Sequence, residues 1–314
     1  MLAGMRIAVI GAGAVGGYFG GRLAEAGNEV AFVARGKTLQ ALRAEGLRIE
    51  SPKGDLRLRP WRATQDPAEV GPVDLVVLGV KAWQVPEVAP SLRPMVVETT
   101  CVLPLQNGVE AAGQLVAALG PGPVLGGLCK IISMQVAPGH IRHLGVEPSV
   151  DLGELGGPPT ERVRRLGQLF EGAGVSVRTP DDIQVAIWEK FLFICSASGV
   201  GAITGKTIGE FRQEPEARAM LEGAMREVVA VAAGHGVELR GDIVERNLRF
   251  LDGLPAAGTS SMQRDILEGR PSELESQNGA VVRLGREAGV PTPVNLQIYE
   301  RLLQLEEQNR VQSS

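Results

Sequence analysis

Three features of this chain have residue types and spacings that could do chemistry: a glycine triplet, a cationic turn and a lysine inside an apolar stripe. Gly11, Gly13 and Gly16 form G-x-G-x-x-G within "IAVIGAGAVGGYFGGRLAEAG", directly after an apolar run and before a helical pattern. In that context Gly11 permits a tight turn, Gly13 lets backbone approach a pyrophosphate, and Gly16 lets helix and strand pack closely. Backbone N–H groups at the helix start then face the phosphate charge. Ala12, Ala14 and Val15 complete that dinucleotide-binding loop.

The next strand pattern, "EVAFVAR", ends at "FVARGK", with Arg35 and Lys37 where an NAD site would place a carboxylate for the ribose hydroxyl. A guanidinium there suits a 2′-phosphate and so NADPH. The alternative is an ordinary surface arginine. Further on, at about 100° per residue, Lys190 falls on the same stripe as Ile183, Ile187 and Ile194. Such a lysine either snorkels to an edge or is held at a site. Partial desolvation would lower its pKa and make it a better proton donor near neutral pH.

The elements that must position these groups change character along the chain. Up to Thr179, β-branched runs ("RIAVIG", "EVAFVAR", "VDLVVLGVK", "TTCVLPLQNG", "PVLGGLCKIISMQVA") alternate with helical patterns such as Ala14 to Ala26 and Val109 to Leu119. This predicts an α/β fold with a parallel sheet, closed by a hairpin at "VAPGHIRHLG". His140 and His143, three apart on that hairpin, point to opposite faces, against a metal site. After "RTPDD" only helical periods remain: Ile183 to Ala197, Glu216 to Ala233, Ile243 to Leu251, Glu273 to Ala288 and Val294 to Leu305. Asp181 and Asp182 mark a helix start, Gly289 before Pro291 a stop, and "SELE" from Ser272 to Glu275 reads as a capping box. The expected division is a Rossmann-type domain over 1–179 and an all-α domain over 180–314.

At 314 residues there is room for two cores, and a net charge of −4 gives no reason to expect nucleic acid or a membrane surface as partner. Cys101, Cys129 and Cys195 lack metal or disulfide spacing and suit a reducing cytoplasm. Cys195 reads as a small buried side chain, with a nucleophile as the alternative. "IQVAIWEKFLFICSASGVGAI" carries Glu189 and Lys190 and reads as a buried helix rather than a membrane span. "GVGAITGKT" lacks the first glycine of a phosphate loop, since Val200 stands there. A signal peptide at the N-terminus would cut the glycine unit apart on cleavage. The start at Met1 or Met5 is left open, as is pairing with a second copy of the chain.

Over nearly its full length the chain resembles the ketopantoate reductase family. The resemblance rests on "GAGAVG", "VKAWQV" at Val80 to Val85, "LQNGVE" at Leu105 to Glu110, "WEK" at Trp188 to Lys190, and "TSSMQRDILEGRPSELE" at Thr259 to Glu275. It implies a dinucleotide-binding domain, a helical domain and an active site in the cleft between them. It places Arg35 and Lys81 by the adenosine 2′-phosphate, Gln84 near the adenine and Asn107 near the nicotinamide. Lys190 corresponds to the lysine that protonates the C2 oxygen as hydride arrives. Ser261 matches the serine on the substrate carboxylate, and Glu273 the glutamate near both nicotinamide and substrate.

The chain departs from the family where Ile194 and Ser198 replace two asparagines that contact pantoate, and where Ile208 falls near a third. Ser198 is carried as a substrate contact, and Lys206 or Thr207 could replace the lost amides. The resemblance implies NADPH-dependent reduction of ketopantoate to pantoate, towards coenzyme A. The alternatives are the same chemistry on another small 2-oxo acid and, more remotely, a non-catalytic NADPH sensor.

Overall fold

The computed structural model describes residues 4–312, so the choice between Met1 and Met5 touches a residue outside them. The chain forms two compact units: the first runs to Gln106 and resumes over Ala111–Ile183, and the second takes Asn107–Glu110 and everything from Gln184 onward.

The first unit begins with β1 (Arg6–Ile10), α1 (Ala14–Glu25), β2 (Glu29–Val33) and α2 (Gly36–Ala44). Three short strands follow, β3 (Leu47–Glu50), β4 (Leu56–Leu58) and β5 (Arg62–Thr64), then β6 (Leu75–Leu78), α3 (Val85–Val88), β7 (Cys101–Pro104) and α4 (Ala111–Leu119). It closes with β8 (Gly126–Lys130), β9 (Ser133–Ala137), β10 (His140–His143), β11 (Ser149–Gly153), α5 (Glu161–Gly172) and β12 (Ser176–Arg178).

A five-stranded parallel sheet, ordered β5-β2-β1-β6-β7, carries the unit. Ile7, Ala8 and Val9 of β1 have no exposed surface, which is why the strand reads as an unbroken apolar run rather than an alternating one. Strand order reverses beside β1, so the carboxyl ends of β1 and β6 flank the crevice where such sheets bind ligands.

The hairpin at β9–β10 does not close this sheet. It joins a separate four-stranded sheet, β4-β3-β10-β9, with β10 parallel to β3. The reason is α1, whose small residues let sheets approach on two sides: a Cβ at Gly20 would meet Phe32 of β2, and one at Gly17 would lie 2.9 Å from Ile141 of β10. The run expected as one strand from Pro123 is likewise split, β8 going to a third sheet ordered β12-β11-β8. His140 sits 2.9 Å from Glu50, and His143 bonds Ser51 and the Val146 carbonyl. No metal-binding cluster occurs among the described residues.

The second unit is helical: α6 (Ile183–Thr204, all but its first residue), α7 (Ile208–Phe211), α8 (Pro215–Gly234), α9 (Ile243–Asp252), α10 (Ser261–Leu267), α11 (Asn278–Ala288) and α12 (Pro293–Gln312). Leu221, Met225 and Val228 of α8 are buried with Val281 and Ile298 in its core. Glu227 accepts from the N–H groups of Val294 and Asn295 at 2.7 and 2.8 Å, placing a carboxylate at the start of α12. Gly289 ends α11 in the left-handed conformation, φ 69°.

Three boundaries differ from the sequence reading. The first unit extends to Ile183 because that side chain packs into it: a Cβ at Gly126 would lie 2.5 Å from Ile183 Cγ2. α6 continues past Ala197 to Thr204, with Val200 and Ala202 buried, so the stretch resembling a phosphate loop is largely helix. "SELE" does not cap a helix. Ser272 Oγ accepts from Leu274 N, two residues on, and the chain turns until α11 starts at Asn278. α6 is long and apolar enough to cross a membrane, but 67% of its apolar window is buried within the protein.

Candidate functional site

The loop after β1 is shaped for an anion. Gly11 has φ +91°, which permits the tight turn, and its N–H donates to Val33 O at 2.9 Å, extending the ladder between β1 and β2. An added Cβ at Gly16 would run into the Gly11 carbonyl oxygen, so α1 lies against the turn as closely as backbone allows. A Cβ at Gly13 would meet nothing within 4 Å, which leaves open space over the first turn of α1. No acidic residue stands in that turn and no side chain caps it. Ala12, Ala14 and Val15 offer backbone there, and the site fits a phosphate group.

Arg35 follows β2 and precedes α2, where its Nη1 is 3.1 Å from Glu87 Oε1, both side chains about two-thirds exposed (69% and 66%). Lys81 follows β6, with Nζ 5.6 Å from the ring centre of Trp83. Lys81 N donates to Gln84 Oε1 at 3.1 Å, so these two predicted contacts stand side by side. Glu87 was not singled out by sequence; its one signal is a place one helical turn beyond "KAWQ".

In the second unit three predicted residues come together. Lys190 Nζ donates to Asn107 Oδ1 at 3.0 Å, and Asn107 Nδ2 donates to Glu273 Oε2 at 3.2 Å. The amide therefore has a fixed sense, oxygen to the ammonium and nitrogen to the carboxylate. Lys190 is half-buried on α6 and Glu273 is 5% exposed, so both charges sit partly out of water. The lysine in the apolar stripe is held by a polar partner rather than reaching out to bulk solvent.

Ser198 is buried on α6 two turns beyond Lys190, and Ser261 is exposed in the first turn of α10. Neither hydroxyl takes part in the Asn107–Lys190–Glu273 bonds. Ile194, one turn from Lys190, is half-buried. Lys206 is paired with Glu214, and the Thr207 hydroxyl donates to Glu210 at 2.8 Å. Both candidate replacements for the missing amides are thus engaged elsewhere. Cys195 is fully buried, and burial pushes its thiol far above the usual range, which rules out a nucleophile.

Two family models match the chain: "Ketopantoate reductase PanE/ApbA" over residues 7–157 and its C-terminal counterpart over 182–306. The chain belongs to the ketopantoate reductase family. As a member it is an oxidoreductase acting on a CH–OH group, with the Rossmann-type and helical domains of that family. It is 32% identical to an uncharacterized oxidoreductase of Bacillus subtilis, over 94% of this chain and 99% of that one. It is also 32% identical to a 2-dehydropantoate 2-reductase of Mesorhizobium japonicum, over 92% and 94% of the two chains. A ketopantoate reductase structure from Ralstonia eutropha superposes with TM-score 0.89 at 33% identity, covering 98% and 100%. A D-mandelate dehydrogenase complex with NADH and anilino(oxo)acetate also gives 0.89, at 25% identity, covering 97% and 99%.

Proposed function

We propose that this ketopantoate reductase family member reduces small 2-oxo acids with NADPH, ketopantoate being the leading substrate and pantoate the product. In this reading the first unit holds the dinucleotide and the second supplies the proton and the substrate contacts. The observation that carries it is the Lys190–Asn107–Glu273 arrangement. When bound, a reduced nicotinamide supplies the hydride. Lys190 Nζ gives its proton to the C2 oxygen, and the neutral amine regains one from water. Asn107 keeps the ammonium aimed, while Glu273 holds the amide in place. Ser261 takes the substrate carboxylate, and Ser198 lies along the same helix face. Lys190, Ser261 and Glu273 speak against a sensor, which would need none of them together.

Arg35, Lys81 and Gln84 carry the adenosine end in this proposal. Arg35→Asp is expected to weaken NADPH by about 10- to 100-fold, the range for a charged hydrogen bond of roughly 1.5–3 kcal/mol, with NADH far less affected. Titration of both dinucleotides checks it. Equal wild-type affinity for NADH and NADPH would remove the preference, and a nicotinamide dinucleotide would remain.

A second reading, an acid with an apolar side chain, is favoured by half-buried Ile194, which offers neither donor nor acceptor. The D-mandelate dehydrogenase neighbour is consistent with it. A pocket built to bond a hydroxyl rejects analogues lacking it by up to about 10⁴-fold. With Ile194 present, ketopantoate is expected to be preferred over 2-oxoisovalerate by much less than that. A kcat/KM panel with NADPH, including phenylglyoxylate, decides. A ketopantoate preference of several thousandfold would mean that other groups read the hydroxyl, and the argument from Ile194 would fail.

A further inference from the structure

Lys190 stands on a 22-residue helix, but its two polar neighbours do not stand on regular elements. Asn107 lies in the segment Asn107–Glu110, and Glu273 lies in the turn before α11. Their positions need another anchor, and Arg283 on α11 bonds to both pieces. Its Nη2 donates to Glu110 Oε2 at 2.9 Å. Its Nη1 donates to the Glu275 carbonyl at 3.2 Å and to the Glu275 carboxylate. From α12, the Tyr299 hydroxyl donates to the other Glu275 oxygen at 2.6 Å. That bond, with burial, pushes the phenol up to about 12, so it stays a donor across the neutral range. The two pieces also touch: a Cβ at Gly108 would lie 3.1 Å from the Ser276 carbonyl oxygen.

We propose that Arg283 is a positioning residue: through Glu110 and Glu275 one guanidinium fixes the two loops that present Asn107 and Glu273 to Lys190. The inference rests on the reading of Lys190 as the proton donor. Arg283 is 38% exposed, Glu110 28% and Glu275 60%, and ion pairs this exposed add little to global stability. Their effect is local. An acid displaced by about 1 Å can lose on the order of a hundredfold in rate.

The test uses the full-length chain with its nicotinamide cofactor and the best 2-oxo acid. Arg283→Met is expected to lower kcat by about 10- to 100-fold with both KM values within about threefold of the parent. Arg283→Lys, which keeps a charge between the two carboxylates, should regain most of that loss. Glu110→Gln, which breaks one arm only, should lose about three- to tenfold in kcat with KM unchanged, and it replaces Arg283→Met if that variant does not fold. Unchanged kcat in the folded variants overturns the proposal, as does a loss appearing in KM or one that lysine does not relieve. Lys190→Ala separates the two ideas. If it stays active, the proton-donor reading fails; if it is inactive while Arg283→Met turns over normally, only the role of Arg283 fails.

Discussion

Lys190→Ala is expected to lower turnover by about 10²- to 10⁴-fold, the usual contribution of a general acid, while dinucleotide affinity stays nearly the same. The ammonium donates to Asn107 Oδ1 at 3.0 Å, and no other residue of that trio can give a proton: Asn107 is an amide and Glu273 is an acceptor for it. Alanine therefore removes the proton source and leaves the amide oxygen without its donor. If Lys190 is the proton donor as proposed, the protonated amine is the active form and the wild-type forward rate is expected to fall on the alkaline side. The variant should lack this limb. Steady-state kinetics across pH, with cofactor binding measured separately, read both effects. A variant keeping most of its turnover would remove Lys190 from the mechanism.

Gly16→Val should abolish useful cofactor binding, with a loss on the order of a hundredfold or more. A side chain at this position meets the Gly11 carbonyl oxygen and comes within 3.0 Å of Val9 Cγ1. Neither neighbour can swing aside, since Gly11 is tied to Val33 and Val9 lies in the central strand. Either α1 lifts from β1 or the tight turn opens, and both move the N–H groups from the phosphate. Overpacking costs about 1–3 kcal/mol, occasionally more, and a clash with backbone falls at the upper end, which corresponds to about a hundredfold. Calorimetry with the dinucleotide checks it, alongside thermal unfolding. Near-parental affinity would mean that the glycine loop is not where the pyrophosphate sits.

The parts of this molecule that could be read from sequence are those whose physics is local. The glycine loop is legible because strand, turn and helix are consecutive, and Lys190 because a charge breaks an apolar period. The second sheet was not legible. β3 and β4 read "LRIE" and "LRL", short strands with arginine on the outer face, and β10 finds β3 only through a parallel pairing far along the chain. "SELE" met every local condition for a cap, but Glu275 is claimed by Arg283 and Tyr299, which no three-residue rule can see. The bonds that make the trio are as remote: Asn107 lies 83 residues from Lys190 and 166 from Glu273. Only the family resemblance put these residues in one list, and it assigned no task to Arg283.

The four residues Asn107–Glu110 belong to the helical unit while their chain neighbours on both sides belong to the sheet unit. The molecule is therefore not a pair of cassettes joined by one linker. A polypeptide cut after Ile183 would leave the C-terminal piece with Lys190 and Arg283 but without Asn107 or Glu110, which bond to them. During synthesis those four residues emerge first and wait for helices made later, so the trio cannot form until Glu273 has been made. Anyone grafting a helical unit from one relative onto another should carry this tetrapeptide with it, because it travels with the helices by contact though not by position in the gene.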